Sequence, residues 1–145
     1  MKVLNRDLLE IEEGVICQQV NARGVMNAGI ALAIRRKWPQ VYEEYRRVHE
    51  SHPGLRLGNV VSVPVSSRLM VCNVIGQDDY RPRGVCHTDY AAVKRAFHKI
   101  NLWKRGRRVY IPYGMGCGLA GGDWGVYAAI VEEACPGVVS VRKQR

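Results

Sequence analysis

No apolar stretch in this chain approaches the roughly 20 residues needed to cross a bilayer, which argues against a membrane role. The opening run Met1-Lys-Val-Leu-Asn-Arg-Asp7 lacks the apolar core and small-residue cleavage pattern of a secretory signal. It reads as a first strand, and a cytoplasmic protein is expected. Cysteine pairing is also missing. Cys17, Cys72, Cys86, Cys117 and Cys135 are scattered, odd in number and never in a C-x-x-C pair, so neither a disulfide framework nor a zinc site is signalled. Reduced, mostly buried thiols are the expectation. His49 and His52 stand three apart without further clustered ligands and read as a solvated pair, so no metal is expected. Acidic residues are in short supply, 13 against 22 Lys and Arg, and the net charge of +9 favours polyanions without saying which.

What remains is ordinary for a soluble globular protein: 145 residues, 47% hydrophobic and 24% charged. One domain over residues 1–145 is expected, long enough to bury about two thirds of its unfolded surface.

The pattern alternates strand and helix. Val15 to Val20 is a short apolar run suited to a buried strand, and Ala28 to Lys37 has helical spacing, with Ile30, Ile34 and Trp38 near one face. Pro39 interrupts or caps that helix, and a second amphipathic helix runs from Gln40 until His52-Pro53-Gly54. Val60 to Val65 and Leu69 to Ile75 flank Ser66-Ser67 as a hairpin, leaving Gly76-Gln77 at a strand end. Asp78 to His87 is polar, carries Pro82 and Gly84, and reads as a loop. Thr88 is the expected N-cap of a helix that buries Ala92, Val93, Ala96, Phe97 and Ile100, with Asp89 favourable in its first turn. After Gly106 come a strand at Val109 to Pro112, a helix at Trp124 to Ala134 stopped by Pro136-Gly137, and a last strand at Val138 to Val141. Strands separated by helices imply an α/β protein. The expected architecture is a three-layer α/β/α sandwich with a mixed, mostly parallel central sheet.

Two glycine-rich turns, Gly24-Val-Met-Asn-Ala-Gly29 and Gly114-Met-Gly-Cys-Gly-Leu-Ala-Gly-Gly122, each follow a strand-like run and open into a helix-like run. Residues without a Cβ let backbone approach a ligand, and helix amino ends supply unpaired N–H groups, so the two turns read as a two-jawed cradle for a diphosphate. In open sheets ligands lie at the carboxyl ends of strands, where both turns and Gly76-Gln77 fall. Neither turn matches G-x-x-x-x-G-K-[ST] or a clean G-x-G-x-x-G after the first strand, which disfavours a P-loop ATPase or a Rossmann dehydrogenase.

Val20-Asn21-Ala22 with Gly24-Val-Met-Asn-Ala-Gly-Ile30, and Pro112-Tyr-Gly-Met-Gly-Cys-Gly-Leu-Ala-Gly-Gly122-Asp123-Trp124, resemble the two signature loops of the macro domain, an ADP-ribose-binding module. Asn5-Arg6-Asp7-Leu8 resembles the family's Gly-Asp-Leu or Gly-Asp-Ile segment, and the element order agrees over nearly the whole chain. The likeness is greatest to compact microbial and phage-type members related to terminal ADP-ribose hydrolases and ADP-ribose-1″-phosphate phosphatases.

The resemblance implies that Asp7 accepts a hydrogen bond from the adenine amino group with Leu8 beside it, and that Asn21 points toward the distal ribose. Asn21 has a plainer alternative, which is to satisfy backbone groups at a strand end. By the same resemblance, the backbone of Val25, Met26, Asn27, Ala28, Gly29 and Ile30 holds the α-phosphate and distal ribose. That of Gly114, Met115, Gly116, Cys117, Gly118, Leu119 and Ala120 holds the phosphates. Tyr80 or Tyr90 is expected to stack on adenine or flank a ribose. Asn27 stands where the family usually has Gly; Asn tolerates left-handed backbone angles, and its side chain is expected to narrow the pocket. The glycohydrolase branch uses a Lys at the central strand end and an Asp in the second loop. Here Val74 to Gln77 has no Lys and Ala120 replaces the Asp, so a covalent lysyl mechanism is not supported. The catalytic candidates are Asp123, which activates water or caps its helix, and Gln77 and Asn21, which position a water.

The function implied is ADP-ribose binding, with hydrolysis at the distal ribose of ADP-ribose-1″-phosphate, O-acetyl-ADP-ribose or an ADP-ribosylated macromolecule. No cofactor is implied, and a monomer is expected. The alternatives are a non-catalytic ADP-ribose binder or sensor, and a binder of nucleic acid through the basic patches at Arg35-Arg36-Lys37, Arg46-Arg47, Lys104-Arg105-Gly-Arg107-Arg108 and Arg142-Lys143-Gln-Arg145. Cys86-His87 lacks a third orienting group, and adjacent side chains point apart, so nucleophilic catalysis is disfavoured.

Overall fold

Six strands form one twisted sheet in the computed structural model, which describes residues 1–143. In chain order they are β1 (Val3–Asn5), β2 (Gly14–Asn21), β3 (Val60–Pro64), β4 (Leu69–Gln77), β5 (Val109–Pro112) and β6 (Val139–Arg142), and their spatial order is β1-β6-β5-β2-β4-β3. Every neighbouring pair is parallel except β3 with β4, the hairpin expected around Ser66-Ser67. Ser66 Oγ secures that turn by accepting from the backbone N–H groups of Arg68 and Leu69.

The helices are α1 (Gly29–Lys37), α2 (Pro39–Glu50), α3 (Tyr90–Trp103) and α4 (Trp124–Ala134). Pro39 occupies the first turn of α2, where its missing N–H is harmless, so the proline opens this helix. The alternation of β2 explains the layering: Val15 and Cys17 join Phe97, Ile100 and Val131 of α3 and α4, while Ile16 and Val20 join Ile34, Val41 and Tyr45 of α1 and α2. The three-layer α/β/α sandwich with a mixed, mostly parallel sheet is therefore present, held by two cores on either side of the sheet. The buried face of α3 consists of the five residues expected, and truncating Phe97 at its centre would cost about 3–5 kcal/mol.

One boundary is corrected. Asp89, not Thr88, caps α3, with its carboxylate accepting from Ala92 N at 3.0 Å. Thr88 instead continues an isolated bridge with Gln77, and its hydroxyl donates to the Gly116 carbonyl at 2.7 Å. Its side chain is committed to a distant loop and unavailable to the helix end. Among the described residues no helix is long and apolar enough to cross a membrane.

Candidate functional site

Because β2, β4 and β5 run parallel, the segments that leave their carboxyl ends meet at one edge of the sheet and enclose a cavity of about 490 Å³. Three loops make its walls.

The first follows β2. Asn21, buried at the strand end, donates from Nδ2 to the Val25 carbonyl at 2.9 Å, and its Oδ1 accepts from Arg23 N and Val25 N. Tyr45 of α2 donates to the Asn21 backbone carbonyl at 2.5 Å, with Asn21 Oδ1 2.9 Å from the same hydroxyl, and accepts from Gly24 N at 3.1 Å. Burial pushes the Tyr45 phenol well above its ordinary range, so it stays a neutral donor. Asn21 thus serves as the clamp of the first loop, while still lining the cavity. Beyond it Val25 to Ile30 line the wall, and α1 begins at Ala28–Gly29 with no side chain capping its first N–H groups. Asn27 does not take the left-handed angles expected of it; Arg105 is the one non-glycine residue with positive φ among the described residues. The Asn27 amide accepts from Arg35 of α1 at 3.0 Å, which commits its oxygen to that helix.

The second loop follows β5 and is a chain of tight turns, Met115 N to Pro112 O at 3.0 Å and Cys117 N to Gly114 O at 2.9 Å. Its underside rests on Gln19, a residue that sequence reasoning missed. Gln19 Nε2 donates to Gln77 Oε1 at 3.0 Å and Thr88 Oγ1 at 2.9 Å, and its Oε1 accepts from Tyr127 Oη of α4 at 2.9 Å. Gly116 lies so close to this network that a Cβ would stand 2.5 Å from the Tyr127 ring and 2.9 Å from Gln19 Oε1, at φ +73°. Gly118, by contrast, faces open space at an ordinary φ: a Cβ there would meet nothing within 4 Å.

The third loop, residues 78–87, spans the other two. At its start Arg23 of the first loop pairs with Asp78 at 2.9 Å and Asp79 at 3.5 Å; at its end His87 N donates to Ala120 O of the second loop at 2.7 Å. Backbone N–H donation from Tyr80 to Asp79, with help from Arg81 and Arg23, holds that carboxyl below its usual range. Tyr80 and Arg83 both line the cavity. Arg83 is the one charged side chain among the described residues that line the cavity. Gln77, at the floor, donates to the Asp79 carbonyl at 2.9 Å and also lines it.

The β5 end of the cavity is aromatic: Tyr113 lines it, packs against Trp124 at 5.0 Å between ring centroids, and carries the Arg142 guanidinium 4.3 Å above its ring. Tyr113 and Trp124 bracket the second loop and Arg142 comes from β6, a grouping that was not read from the sequence. Five sequence candidates, Asp7, Leu8, Cys117, Asp123 and Tyr90, stand outside the lining. Asp7 caps a short turn at Leu8–Glu10, accepting from Leu9 N at 3.0 Å, with Lys143 3.3 Å from its other oxygen; Leu8 is buried. Cys117 turns its thiol toward the Met115 carbonyl at 3.3 Å, and burial raises its pKa. Asp123 is exposed and caps α4 by accepting from Val126 N at 3.0 Å, the second of the two roles set out for it. Tyr90, the other aromatic candidate, is also off the lining, its hydroxyl accepting from Asp123 N at 2.9 Å.

No family model matches this chain, and no curated protein matches it. Solved structures do. A protein of unknown function from Bacteroides thetaiotaomicron is 29% identical with a TM-score of 0.86, covering 97% of each chain. A macrodomain protein from Streptomyces coelicolor is 25% identical with a TM-score of 0.80, covering 99% of each chain. Thermosipho africanus DarTG, solved in complex with ADP-ribose, is 17% identical with a TM-score of 0.79, covering 97% of this chain and 41% of that one.

Proposed function

We propose, for a chain that is built as a macro domain, that it binds ADP-ribose between its two glycine loops and hydrolyses an ADP-ribose derivative at the distal ribose. The observation that carries the binding reading is the cavity itself, two loops of exposed backbone facing each other beside an uncapped helix start, with one cation on its lining. Converging N–H groups suit a diphosphate. The DarTG protein that shares the fold was solved with ADP-ribose, which supports the same ligand here. The two ends then assign the rest of the molecule: the aromatic Tyr113 end suits adenine, and the Gln77, Tyr80 and Arg83 end suits the distal ribose and whatever it carries.

Hydrolysis at C1″ inserts water, leaving a hydroxyl on the ribose and the departing group with the second proton. Each primary amide nitrogen has two protons, and Asn21 and Gln77 spend one each on the Val25 and Asp79 carbonyls. One of these second protons is donated to a lone pair of the attacking water, leaving its other lone pair free to attack C1″, the other is donated to the ribose, and a phosphate on the substrate takes the water's proton. Asp123 enters this reading as the cap of α4. Arg83 favours substrates with an anionic group on the distal ribose.

A second reading, a binder without turnover, is favoured by one fact: among the described residues no carboxylate lines the cavity. Incubation with ADP-ribose-1″-phosphate, O-acetyl-ADP-ribose and ADP-ribosylated protein, following release of free ADP-ribose, decides between them. Release from the phosphorylated conjugate, selectively weakened in Arg83→Gln, is expected. A silent panel with intact calorimetric binding of ADP-ribose leaves the binder.

A further inference from the structure

We propose a second binding site, for the phosphodiester backbone of single-stranded nucleic acid, in a cationic trough of about 850 Å³ that shares no lining residue with the cavity. The trough lies between the segment returning from β1 to β2 and the turns that lead into β4 and β5. Three stretches far apart in sequence bring five guanidinium groups to it: Arg6, Arg68, and the turn containing Arg105, Arg107 and Arg108. Of these, only the Lys104-Arg105-Gly-Arg107-Arg108 cluster reads as a basic patch along the chain; the fold adds Arg6 and Arg68 to it as one surface.

Their charge is largely unspent. Two carboxylates, Glu12 and Glu13, also line the trough, and only Glu13 approaches an arginine, Arg68 at 3.7 Å. Among the described residues the Arg6 guanidinium meets only the Glu10 carbonyl, at 3.5 Å. Arg107 is held in place by the carbonyls of Lys104 at 3.0 Å and Trp103 at 3.4 Å and lies 5.2 Å above the Trp103 ring, contacts that fix the group without neutralising it. Arg105 and Arg108 are exposed and have no carboxylate within 4 Å among the described residues. Arg105 moreover sits at φ +51°, beside Gly106, in a conformation that side-chain-bearing residues rarely adopt. A surface that spreads uncompensated guanidinium forks along an open trough fits several phosphates in succession. Tyr110 also lines the trough, half-buried with its ring against the core, so the arginines carry the recognition through the phosphates. A concave trough receives a flexible strand more readily than the side of a duplex.

The test is titration of a labelled single-stranded oligonucleotide at several salt concentrations, comparing the full chain with Arg105→Glu/Arg108→Glu and with the neutralising Arg105→Gln/Arg108→Gln. Affinity is expected to fall about tenfold or more in the charge-reversed protein and less in the neutralised one, with the salt slope reduced by about two. ADP-ribose binding by calorimetry should be unchanged in both, which separates this site from the cavity and verifies folding. Equal oligonucleotide affinity in all three proteins, a loss reproduced instead by Arg35→Glu/Arg36→Glu, or displacement of the oligonucleotide by free ADP-ribose would overturn the proposal. So would binding of an acidic peptide with no measurable binding of the oligonucleotide.

Discussion

Tyr127 Oη donates to Gln19 Oε1 at 2.9 Å, joining α4 to β2 across 108 positions of sequence directly beneath the second glycine loop. Burial drives the phenol's pKa well above its ordinary range, so the proton is always there to give. Tyr127→Phe keeps the ring that fills the core and strands the Gln19 oxygen. We expect a loss of about 1–3 kcal/mol in stability and weaker ADP-ribose binding, because Gly116 and Thr88 lose their support. Chemical denaturation and calorimetry on the same protein check both. Unchanged affinity at reduced stability would make the hydrogen bond structural only.

Gly118 separates ligand contact from folding. A Cβ there meets nothing within 4 Å, whereas one on Gly116 would strike Tyr127 and Gln19. Gly118→Val should therefore melt close to the parent, within about 0.5 kcal/mol, and lose ADP-ribose binding by obstructing the loop. Full affinity in a folded Gly118→Val protein would sink the cradle.

Asp123→Ala tests the remaining catalytic assignment. The carboxylate caps α4 and lies off the cavity lining, so the substitution should cost on the order of 0.5–2 kcal/mol of stability while turnover per folded molecule stays at the parent level. A selective fall in kcat would return Asp123 to the chemistry.

Asp7 gives a pH signature. The Leu9 N–H, and then Lys143, hold its carboxyl below the usual range in the folded protein. A depressed folded value means that the contribution is complete above the unfolded pKa of about 4 and is lost as pH falls through the lower folded value. Asp7→Ala should be less stable than the parent at neutral pH by on the order of 0.5–1 kcal/mol, with the gap closing in acid. The adenine role that the resemblance implied adds a second readout: Asp7→Ala should weaken ADP-ribose more than ribose 5-phosphate, and equal losses would count against it.

The glycine loops, the strand and helix order and the buried face of α3 were all legible because each is written in neighbouring residues, as spacing or as turn chemistry. Gln19, Arg83 and Tyr113 were not. Gln19 sits inside an apolar strand run, and what makes it a hub is three partners 58, 69 and 108 positions away. Arg83 lay in a segment read only as a polar loop, and the pairing of Arg23 with Asp78 and Asp79 that sets this loop over the cavity is again long-range. Thr88 and Asp89 are both good caps by type, and only the competing demand of the Gly116 carbonyl separates them.

The two glycine jaws bring no charged side chain to the cavity among the described residues, leaving its hydrogen bonding mainly to peptide groups. Peptide groups are common to every amino acid, so side-chain drift along the jaws leaves their chemistry unaltered unless a glycine gains bulk or a proline deletes an N–H. Divergence in what the protein accepts is then channelled into the strap of residues 78–87, where one exchange at Arg83 inverts or removes the one charged side chain that lines the cavity among the described residues.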